Sequence, residues 1–219
     1  MSTQIQKAKE GIITPEMLEV ANKENVDVNW LRDEIAFGRI VIPKNKNHTF
    51  PVRGIGKGLS TKINANIGTS EKHCNISEEM EKMKVAIKYG ADAIMDLSTG
   101  GNLHKILQQI ISESSVMVGT VPVYGVVARL LSEGKRIAQL EPEDLFNEIE
   151  IQAQMGVDFM TLHCGVTRHS LSFLDNDKRV CGIVSRGGAL LKRWILDNKK
   201  ENPLYEQYDR ILEICKKYD

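Results

Sequence analysis

Short apolar runs alternate with amphipathic stretches along most of this chain. Each apolar run has the length of a strand, and a polar or glycine-containing cluster separates it from the helical pattern that follows. This alternation predicts an α/β fold with a parallel sheet. The predicted strands are 62–67, 91–97, 115–121, 157–162 and 179–184.

Apolar residues at helical spacing predict a helix after each of these strands. The first is expected to begin at a Ser77 cap and to end at Gly90, and the helix that starts at Pro142 is expected to end at Gly156. Other helices are predicted at 103–111, 123–131 and 189–196. A last helix opens at Asn202-Pro203, and its predicted inward face comprises Leu204, Tyr208, Ile211, Leu212 and Cys215.

Residues 1–58 differ from the rest of the chain. Two short helices are predicted there, one opening at Thr14-Pro15 and one at 29–37, followed by a short strand at 39–43 and a polar loop. Successive short helices also occur in helix-turn-helix domains, but Asp33 and Glu34 stand where a recognition helix needs Arg or Asn. We therefore predict an N-terminal helical cap and loop at 1–58 and the main domain at 59–219.

Chemically rich clusters stand where the predicted strands end, at 64–70, 95–101, 119–124, 163–167 and 185–188. The carboxyl ends of parallel strands meet at one edge of a sheet, where α/β proteins place their sites. A core accounts for the apolar runs but does not require polar side chains at their ends. We therefore predict one shared site along this edge.

The cluster Ser185-Arg186-Gly187-Gly188 precedes a helix, so its N–H groups and Arg186 could hold an anion. A glycine-rich tight turn would explain the same residues. Asn64 and Asn66 are two apart, which places both on one face of a strand. A ligand contact and a structural role are both open for Asn66, Asp96, Tyr124 and His163.

Asn66, Met95 and Tyr124 recur at even spacing, close to the ~30 residues of one βαβ step. Repeated parallel units favour a (β/α)8 TIM-type barrel over a doubly wound sheet. The chain supplies an N-terminal cap and about five strand-helix units, whereas such a barrel closes with eight strands. We therefore expect the chain to be the N-terminal part of a longer protein.

Composition narrows the function classes. Lys+Arg and Asp+Glu both total 29, so no basic excess favours nucleic acid as a partner. No apolar run approaches the ~20 residues of a membrane span, and the N-terminus lacks the pattern of a secretory signal. We expect a cytoplasmic protein without a membrane partner.

The cysteines form no CxxC pair and the histidines no HExxH pair, so no metal site is predicted within this segment. All four cysteines are expected to be free thiols. Cys181 and Cys215 are expected in the core, and Cys164, next to His163, is the one better placed to line a site. The remaining cysteine is Cys74.

Five blocks of the sequence resemble the phosphomethylpyrimidine synthase family: NANIGTS (64–70), AIMDLSTGG (93–101), VGTVP (118–122), GVDFMTLH (156–163) and IVSRGG (183–188). The resemblance covers about 35–219. It implies a radical enzyme, a carbon–carbon lyase, that cleaves S-adenosylmethionine at a four-iron four-sulfur cluster. The radical then rearranges 5-aminoimidazole ribonucleotide into hydroxymethylpyrimidine phosphate in thiamine biosynthesis. A homodimer and a zinc ion are also implied.

The resemblance assigns substrate-binding roles to Asn66, Met95, Tyr124, His163, Ser185, Arg186 and Gly187. The family's cluster cysteines, zinc-binding histidines and an Asp-Gly-Leu-Arg substrate loop fall beyond position 219, so we expect the segment alone to be inactive.

The chain departs from the family pattern at Ser60, often Arg, and at Gly125, where many members have a larger polar residue. These departures leave open a second hypothesis, that the chain belongs to the paralogue 5-hydroxybenzimidazole synthase, which uses the same substrate. A third hypothesis is a non-catalytic module that only binds the ribonucleotide.

Overall fold

The computed structural model describes residues 2–174 and 180–219. Within this part the chain forms two compact units. The first comprises residues of Met1–Thr120, Ala153–Phe159 and Cys215–Asp219, and the second comprises residues of Val121–Gln152 and Met160–Ile214.

The first unit begins with three helices, α1 (Gln4–Lys9), α2 (Pro15–Glu24) and α3 (Val28–Ala36). Helix α2 starts as predicted, with the Thr14 hydroxyl accepting from the Met17 N–H at 3.2 Å. Strands β1 (Ile40–Val41) and β2 (Ile55–Gly56) form an antiparallel pair. A small apolar core joins these elements, and its buried members include Ala8, Met17, Val20, Leu31, Ile35, Ile40 and Val52.

A four-stranded sheet follows, with strands β3 (Asn64–Ile67), β4 (Ala93–Asp96), β5 (Met117–Thr120) and β6 (Phe159–Met160) in that order. Both β3–β4 and β4–β5 pair in parallel. The predicted α/β class with a parallel sheet is confirmed, and closure into a barrel stays a prediction.

Helices α4 (Ile76–Lys88) and α5 (Leu103–Glu113) follow β3 and β4. Of the five apolar residues whose spacing predicts α5, four are buried (Ile106, Leu107, Ile110 and Ile111) and Leu103 is half-buried. The cap of α4 is Asn75 rather than Ser77, because the Asn75 side chain accepts from the Ser77 N–H at 3.1 Å. An Asn two residues earlier supplies the oxygen that the prediction assigned to serine.

Helices α6 (Pro122–Ser132) and α7 (Pro142–Met155) flank a 3₁₀ turn at Ile137–Gln139. The later helices are α8 (Arg168–Ser172), α9 (Arg186–Asn198), α10 (Pro203–Glu206) and α11 (Tyr208–Tyr218). In the second unit Trp194 of α9 is buried, and its indole N–H donates to the Leu140 carbonyl at 2.7 Å. No helix within 2–174 and 180–219 has the length and apolarity needed to cross a membrane.

The fifth predicted strand, 179–184, is not observed where the chain is described. Its first residue lies outside the described residues, and 180–184 forms bends and irregular backbone. Val180 and Val184 are 99% and 76% exposed. A strand needs a neighbour to pair with, and β6 is only two residues long, so it offers little edge for a fifth strand.

The predicted last helix is two helices, because the backbone at Gln207 leaves the helical region between α10 and α11. The restart changes which side of α11 is buried: Ile211, Ile214 and Tyr218 lie inside. Tyr208, Leu212 and Cys215, predicted to be inward, are exposed. Cys181 is exposed as well, so the prediction of two core cysteines was wrong.

Helix α9 begins at Arg186, three residues before the predicted start near Ala189. Ser185 is its cap, so Gly187 and Gly188 belong to the first helical turn rather than to a loop. The glycine pair therefore presents backbone N–H groups at a helix N-terminus.

Candidate functional site

Two neighbouring rows of residues cross the end of the sheet in the first unit. Asn66, Met95 and Gly119 are register partners on β3, β4 and β5. Side chains alternate along a strand, so this row faces one side of the sheet. The Asn64 side-chain N–H donates to the side-chain oxygen of Asn66 at 3.1 Å, as expected for residues on one face. Asn66 is exposed, whereas Met95 is nearly buried.

Asp96 lies in the next row, and its carboxylate is buried. One oxygen accepts from the Ser98 N–H at 2.9 Å and from the Ser98 hydroxyl at 2.5 Å. Burial raises the pKa of Asp96, and the Glu79 charge adds to that rise. Because its hydrogen bonds stay within its own loop, Asp96 fits the structural anchor better than a site acid.

The loops after β3 and β4 also hold each other. The Thr69 hydroxyl donates to the Gly100 carbonyl at 2.7 Å, and the Thr69 N–H donates to the Ser98 hydroxyl at 3.1 Å. Buried Glu79 accepts from the Gly68 N–H at 2.8 Å. These polar residues are therefore satisfied by one another.

A cavity of about 380 Å³ lies at the start of these strands, where Asn64, Ala93 and Met117 form a row. The segment from Ile55 to Ile63 supplies most of its other wall. Its lining includes neither Asn66 nor Met95. The cavity therefore lies toward the opposite end of the strands from the predicted site.

In the second unit the N-terminus of α9 carries the cluster 185–188. The Ser185 hydroxyl accepts from the Gly188 N–H at 3.3 Å, which caps this 13-residue helix. The N–H groups of Arg186 and Gly187 precede the first backbone bond of the helix, from Ala189 to the Ser185 carbonyl. Unpaired N–H groups and the positive end of the helix dipole favour an anion there.

His163 reaches the same helix end. Its Nε2 is hydrogen-bonded to Oγ of Ser185 at 2.9 Å. Its Nδ1 is buried and has no hydrogen-bond partner among the described residues. Burial lowers the pKa of His163 from its ordinary value of 6.5, so the imidazole is neutral at pH 7.

Gly187 determines where the His163 ring can lie. A Cβ at position 187 would be 2.2 Å from Cε1 and 2.6 Å from Nδ1 of that ring. Real side-chain carbons never come so close, so the ring occupies the space that any larger residue would fill. The ring therefore requires that position 187 has no side chain, and sequence alone carries no signal for this requirement because the contact joins distant segments.

Tyr124 and Arg186 are also in contact: the guanidinium carbon lies 5.3 Å from the centre of the phenol ring. Among residues 2–174 and 180–219, Arg186 has no carboxylate partner. The second unit thus assembles five of the seven predicted residues, Tyr124, His163, Ser185, Arg186 and Gly187. The other two, Asn66 and Met95, belong to the first unit.

Two further residues of the second unit lie beside this cluster and were not predicted as site residues. Asn202, treated as the start of a helix, is fully buried and donates to the His163 carbonyl at 2.9 Å. Glu148 is buried next to Gly125: a Cβ there would lie 3.0 Å from its Oε1. A larger residue after Tyr124 would therefore require Glu148 to shift.

Across the described ranges 2–174 and 180–219, no three His, Cys, Asp or Glu side chains are grouped so as to hold a metal ion. Cys74 is exposed and Cys164 is half-buried. These residues do not fit the ligand set of an iron–sulfur cluster, which needs several thiolates in one place.

Comparisons with known proteins match nearly the whole chain. A family model described as the Radical SAM ThiC family matches residues 3–219. The phosphomethylpyrimidine synthase of Carboxydothermus hydrogenoformans is 56% identical over 218 residues, 99% of this chain and 51% of that protein. Phosphomethylpyrimidine synthase 1 of Methanosphaera stadtmanae is 50% identical over 218 residues, with the same coverage of 99% and 51%.

The phosphomethylpyrimidine synthase of Thermodesulfovibrio yellowstonii is 52% identical over 217 residues, 99% of this chain and 51% of that protein. The chain therefore spans about half the length of the curated relatives it matches.

Proposed function

The chain belongs to the radical SAM ThiC family, and from that premise we propose that it is part of a phosphomethylpyrimidine synthase. The reaction converts 5-aminoimidazole ribonucleotide into 4-amino-5-hydroxymethyl-2-methylpyrimidine phosphate for thiamine biosynthesis. We assign to this chain the binding and orientation of the ribonucleotide. The names of the matched relatives favour this product over the 5-hydroxybenzimidazole of the paralogue.

One observation carries the proposal: Ser185, Arg186 and His163 converge on the N-terminus of a 13-residue helix. A ribonucleotide has a phosphate dianion as its most strongly charged group. The first-turn N–H groups can donate to its oxygens, and the guanidinium can add a bidentate, charge-assisted contact. Tyr124 supports the guanidinium from its ring face.

We propose that phosphate binding raises the pKa of His163. Its pKa is lowered by burial when no anion is present. A dianion beside the ring would favour the imidazolium and raise the pKa. Ribonucleotide binding is then accompanied by proton uptake at pH values between the lower pKa of His163 in the free protein and its higher pKa in the complex, and binding strengthens as the pH falls through that interval.

Asn66 and Met95 are proposed to contact the rest of the substrate. The Asn66 amide offers both a donor and an acceptor on an exposed face of the sheet. The Met95 thioether, its register partner, offers an adaptable apolar contact. Neither residue supplies a proton at neutral pH, so we assign them orientation only.

S-adenosylmethionine and a four-iron four-sulfur cluster supply the radical in this family, and zinc is implied by the resemblance. The described residues do not fit a metal or cluster site, so we propose that these groups are held by other residues of the longer protein. A homodimer and a cytoplasmic location remain predictions from the resemblance and the composition.

The test compares Arg186→Ala with wild type in the full-length, cluster-reconstituted protein. Calorimetry measures affinity for the ribonucleotide and for its dephosphorylated nucleoside. Losing a charge-assisted hydrogen bond costs roughly 1.5–3 kcal/mol, so ribonucleotide affinity should fall about ten- to a hundredfold. Nucleoside affinity should hardly change.

Arg193→Ala is the matched control, since Arg193 lies on the same helix and pairs with Asp197 at 2.7 Å. It should leave both affinities unchanged. Equal losses for both ligands in Arg186→Ala would place Arg186 in the scaffold and contradict the phosphate assignment. Mass spectrometry of the product separates the synthase from its paralogue, and a protein that binds the ribonucleotide without turnover would support the non-catalytic module.

A further inference from the structure

Asn202 holds the turn at residues 163–168, which carries His163 at its start. Its side chain is fully buried. The carboxamide donates to the His163 carbonyl and to the Val166 carbonyl, both at 2.9 Å. Its oxygen accepts from the Leu204 N–H at 3.0 Å. The side chain thus uses both its donors on one turn and its acceptor on another segment.

Glu201 fixes the other end of the same turn. Its carboxylate accepts from the Arg168 N–H at 2.9 and 3.1 Å, at the start of α8. It also accepts from the Asn202 N–H at 2.8 Å. Two consecutive side chains therefore hold the backbone from His163 to Arg168 at three points.

Capping of α10 does not account for these contacts. A cap needs only an oxygen that accepts from a first-turn N–H, and the Leu204 bond supplies that. The two N–H donors of Asn202 are additional to the cap. Both serve the backbone of the turn. Without them the His163 carbonyl would keep only the 3.4 Å bond from the Val166 N–H, and the Val166 carbonyl would lose the donor it now has, which is costly.

The turn carries the imidazole that contacts the helix N-terminus we assign to the phosphate. The His163 ring rests on Gly187 and reaches Ser185, whereas its own backbone is held from the other side by Asn202. A small rotation of the turn would move the ring off both contacts.

We propose that Asn202 is a positioning residue that holds the imidazole of His163 against Ser185 and Gly187. It acts on the substrate only through His163 and Ser185, and in that respect the proposal rests on the proposed function. The positioning itself is a property of the protein without ligand and can be measured separately.

The decisive variant is Asn202→Ser in the full-length protein. Serine is also a good cap, so α10 keeps its N-terminal contact, but a hydroxyl cannot reach both carbonyls. The readout is an NMR titration of the His163 ring nitrogens without ligand, assigned by their loss in His163→Gln. Because burial lowers the pKa of His163, freeing the ring should raise that pKa toward 6.5 and weaken the Nε2 contact.

Asn45→Ser is a matched control. Asn45 is another buried asparagine that donates to two carbonyls, those of Ala153 at 2.7 Å and Val157 at 3.0 Å, but it lies in the first unit. It should lower stability by a similar amount and leave the His163 titration unchanged. If Asn202→Ser also leaves that titration unchanged, Asn202 is only structural and the proposal is wrong.

Ribonucleotide affinity gives the second readout. It should fall about tenfold in Asn202→Ser, with little further loss when His163→Gln is added, because the two residues act in series. Suppose that Asn202→Ser shifts the His163 titration but Arg186→Ala leaves the ribonucleotide affinity unchanged. The positioning role of Asn202 would then stand, and the phosphate site would be overturned. Should Asn202→Ser not fold, Glu201→Gln loosens the same turn, and an unchanged His163 titration there would contradict the proposal.

Discussion

The loop after β4 and the cluster around α9 both bring polar side chains to the end of a predicted strand, yet they differ in how those groups are satisfied. In the first, Asp96, Ser98 and Thr69 bond to one another or to nearby backbone. In the second, a buried nitrogen of His163 has no partner among the described residues, and within those same residues the Arg186 guanidinium lies over an aromatic ring rather than beside a carboxylate.

The difference separates scaffold from candidate site. A buried polar group without a partner costs about 1–3 kcal/mol, so a fold tends to satisfy it unless a ligand does so later. Groups that are already bonded would have to break those bonds to bind anything. The cluster at α9 is therefore the better place for a ligand.

The largest expected effect comes from closing the space beneath the His163 ring. Gly187→Ala puts a methyl 2.2 Å from Cε1 of that ring, so the ring must leave Ser185. Such overpacking costs about 1–3 kcal/mol, which exceeds the gain of up to ~1 kcal/mol from replacing a helical glycine. Urea unfolding of both proteins measures the difference.

Gly165→Ala provides the comparison, because nothing lies within 4 Å of a Cβ at that position. Its effect should stay within about 0.5 kcal/mol. Equal stability of Gly187→Ala and wild type would mean that the ring does not rest on Gly187 in solution.

The next effect concerns pH. Burial lowers the pKa of His163 below 6.5, so the unfolded chain binds the proton more readily than the folded one. Stability should therefore fall as the pH drops from 6.5 through the folded pKa, and this contribution is fully present above 6.5. Urea unfolding at about pH 7.5 and about pH 5.5 measures it. His163→Gln should remove this part of the pH dependence of the unfolding free energy. An unchanged pH dependence in that variant would contradict its assignment to His163.

A smaller effect of pH on stability is expected from Asp96, and its direction is opposite to that of His163. Its pKa is raised above 3.8, so the folded state binds the proton more readily and stability falls as the pH rises through the folded pKa. Asp96→Asn keeps an oxygen that can accept from Ser98. At neutral pH the variant should match or exceed wild type by up to about 1 kcal/mol.

Asp158→Asn is the contrasting variant for that measurement. The buried Asp158 carboxylate pairs with His48 at 2.7 Å and also accepts from the Val118 N–H at 2.8 Å. In Asp158→Asn one of the two accepting oxygens becomes an amide NH₂ that cannot accept from the Asn45 or Val118 N–H. A buried donor left unsatisfied costs about 1–3 kcal/mol, so this variant should be clearly less stable. If Asp96→Asn were as unstable as Asp158→Asn, the fold would need the negative charge of Asp96. The polar groups in the loop after β4 would then not be satisfied by their mutual hydrogen bonds alone.

Much of the fold was predictable because it depends on local pattern. The inward face of α5, with Ile106, Leu107, Ile110 and Ile111 buried and Leu103 half-buried, follows from the spacing of apolar residues. The order of strands and helices follows from the same spacing. The break at Gln207 and the missing fifth strand depend on pairing and packing that spacing does not report. The prediction of which α11 residues face inward was wrong for this reason.

The candidate site was predictable in its residue types but not in its geometry. Strand ends indicated His163, Ser185 and Arg186 as candidates. The contact between the His163 ring and Gly187, and the bonds from Asn202 to the His163 turn, join segments far apart in sequence. No spacing rule connects such residues, so only the structure reveals them.

We propose that the N-terminus of α9, and not the loop after β4, receives the phosphate. Titrating ribose 5-phosphate into the full-length protein and following backbone amide shifts by NMR tests it most directly. Large, saturable shifts are expected at the amides of Arg186 and Gly187, whereas the amides of Ser98, Thr99 and Gly100 should hardly move. Shifts centred on Ser98–Gly100, or none at Arg186 and Gly187, would contradict it.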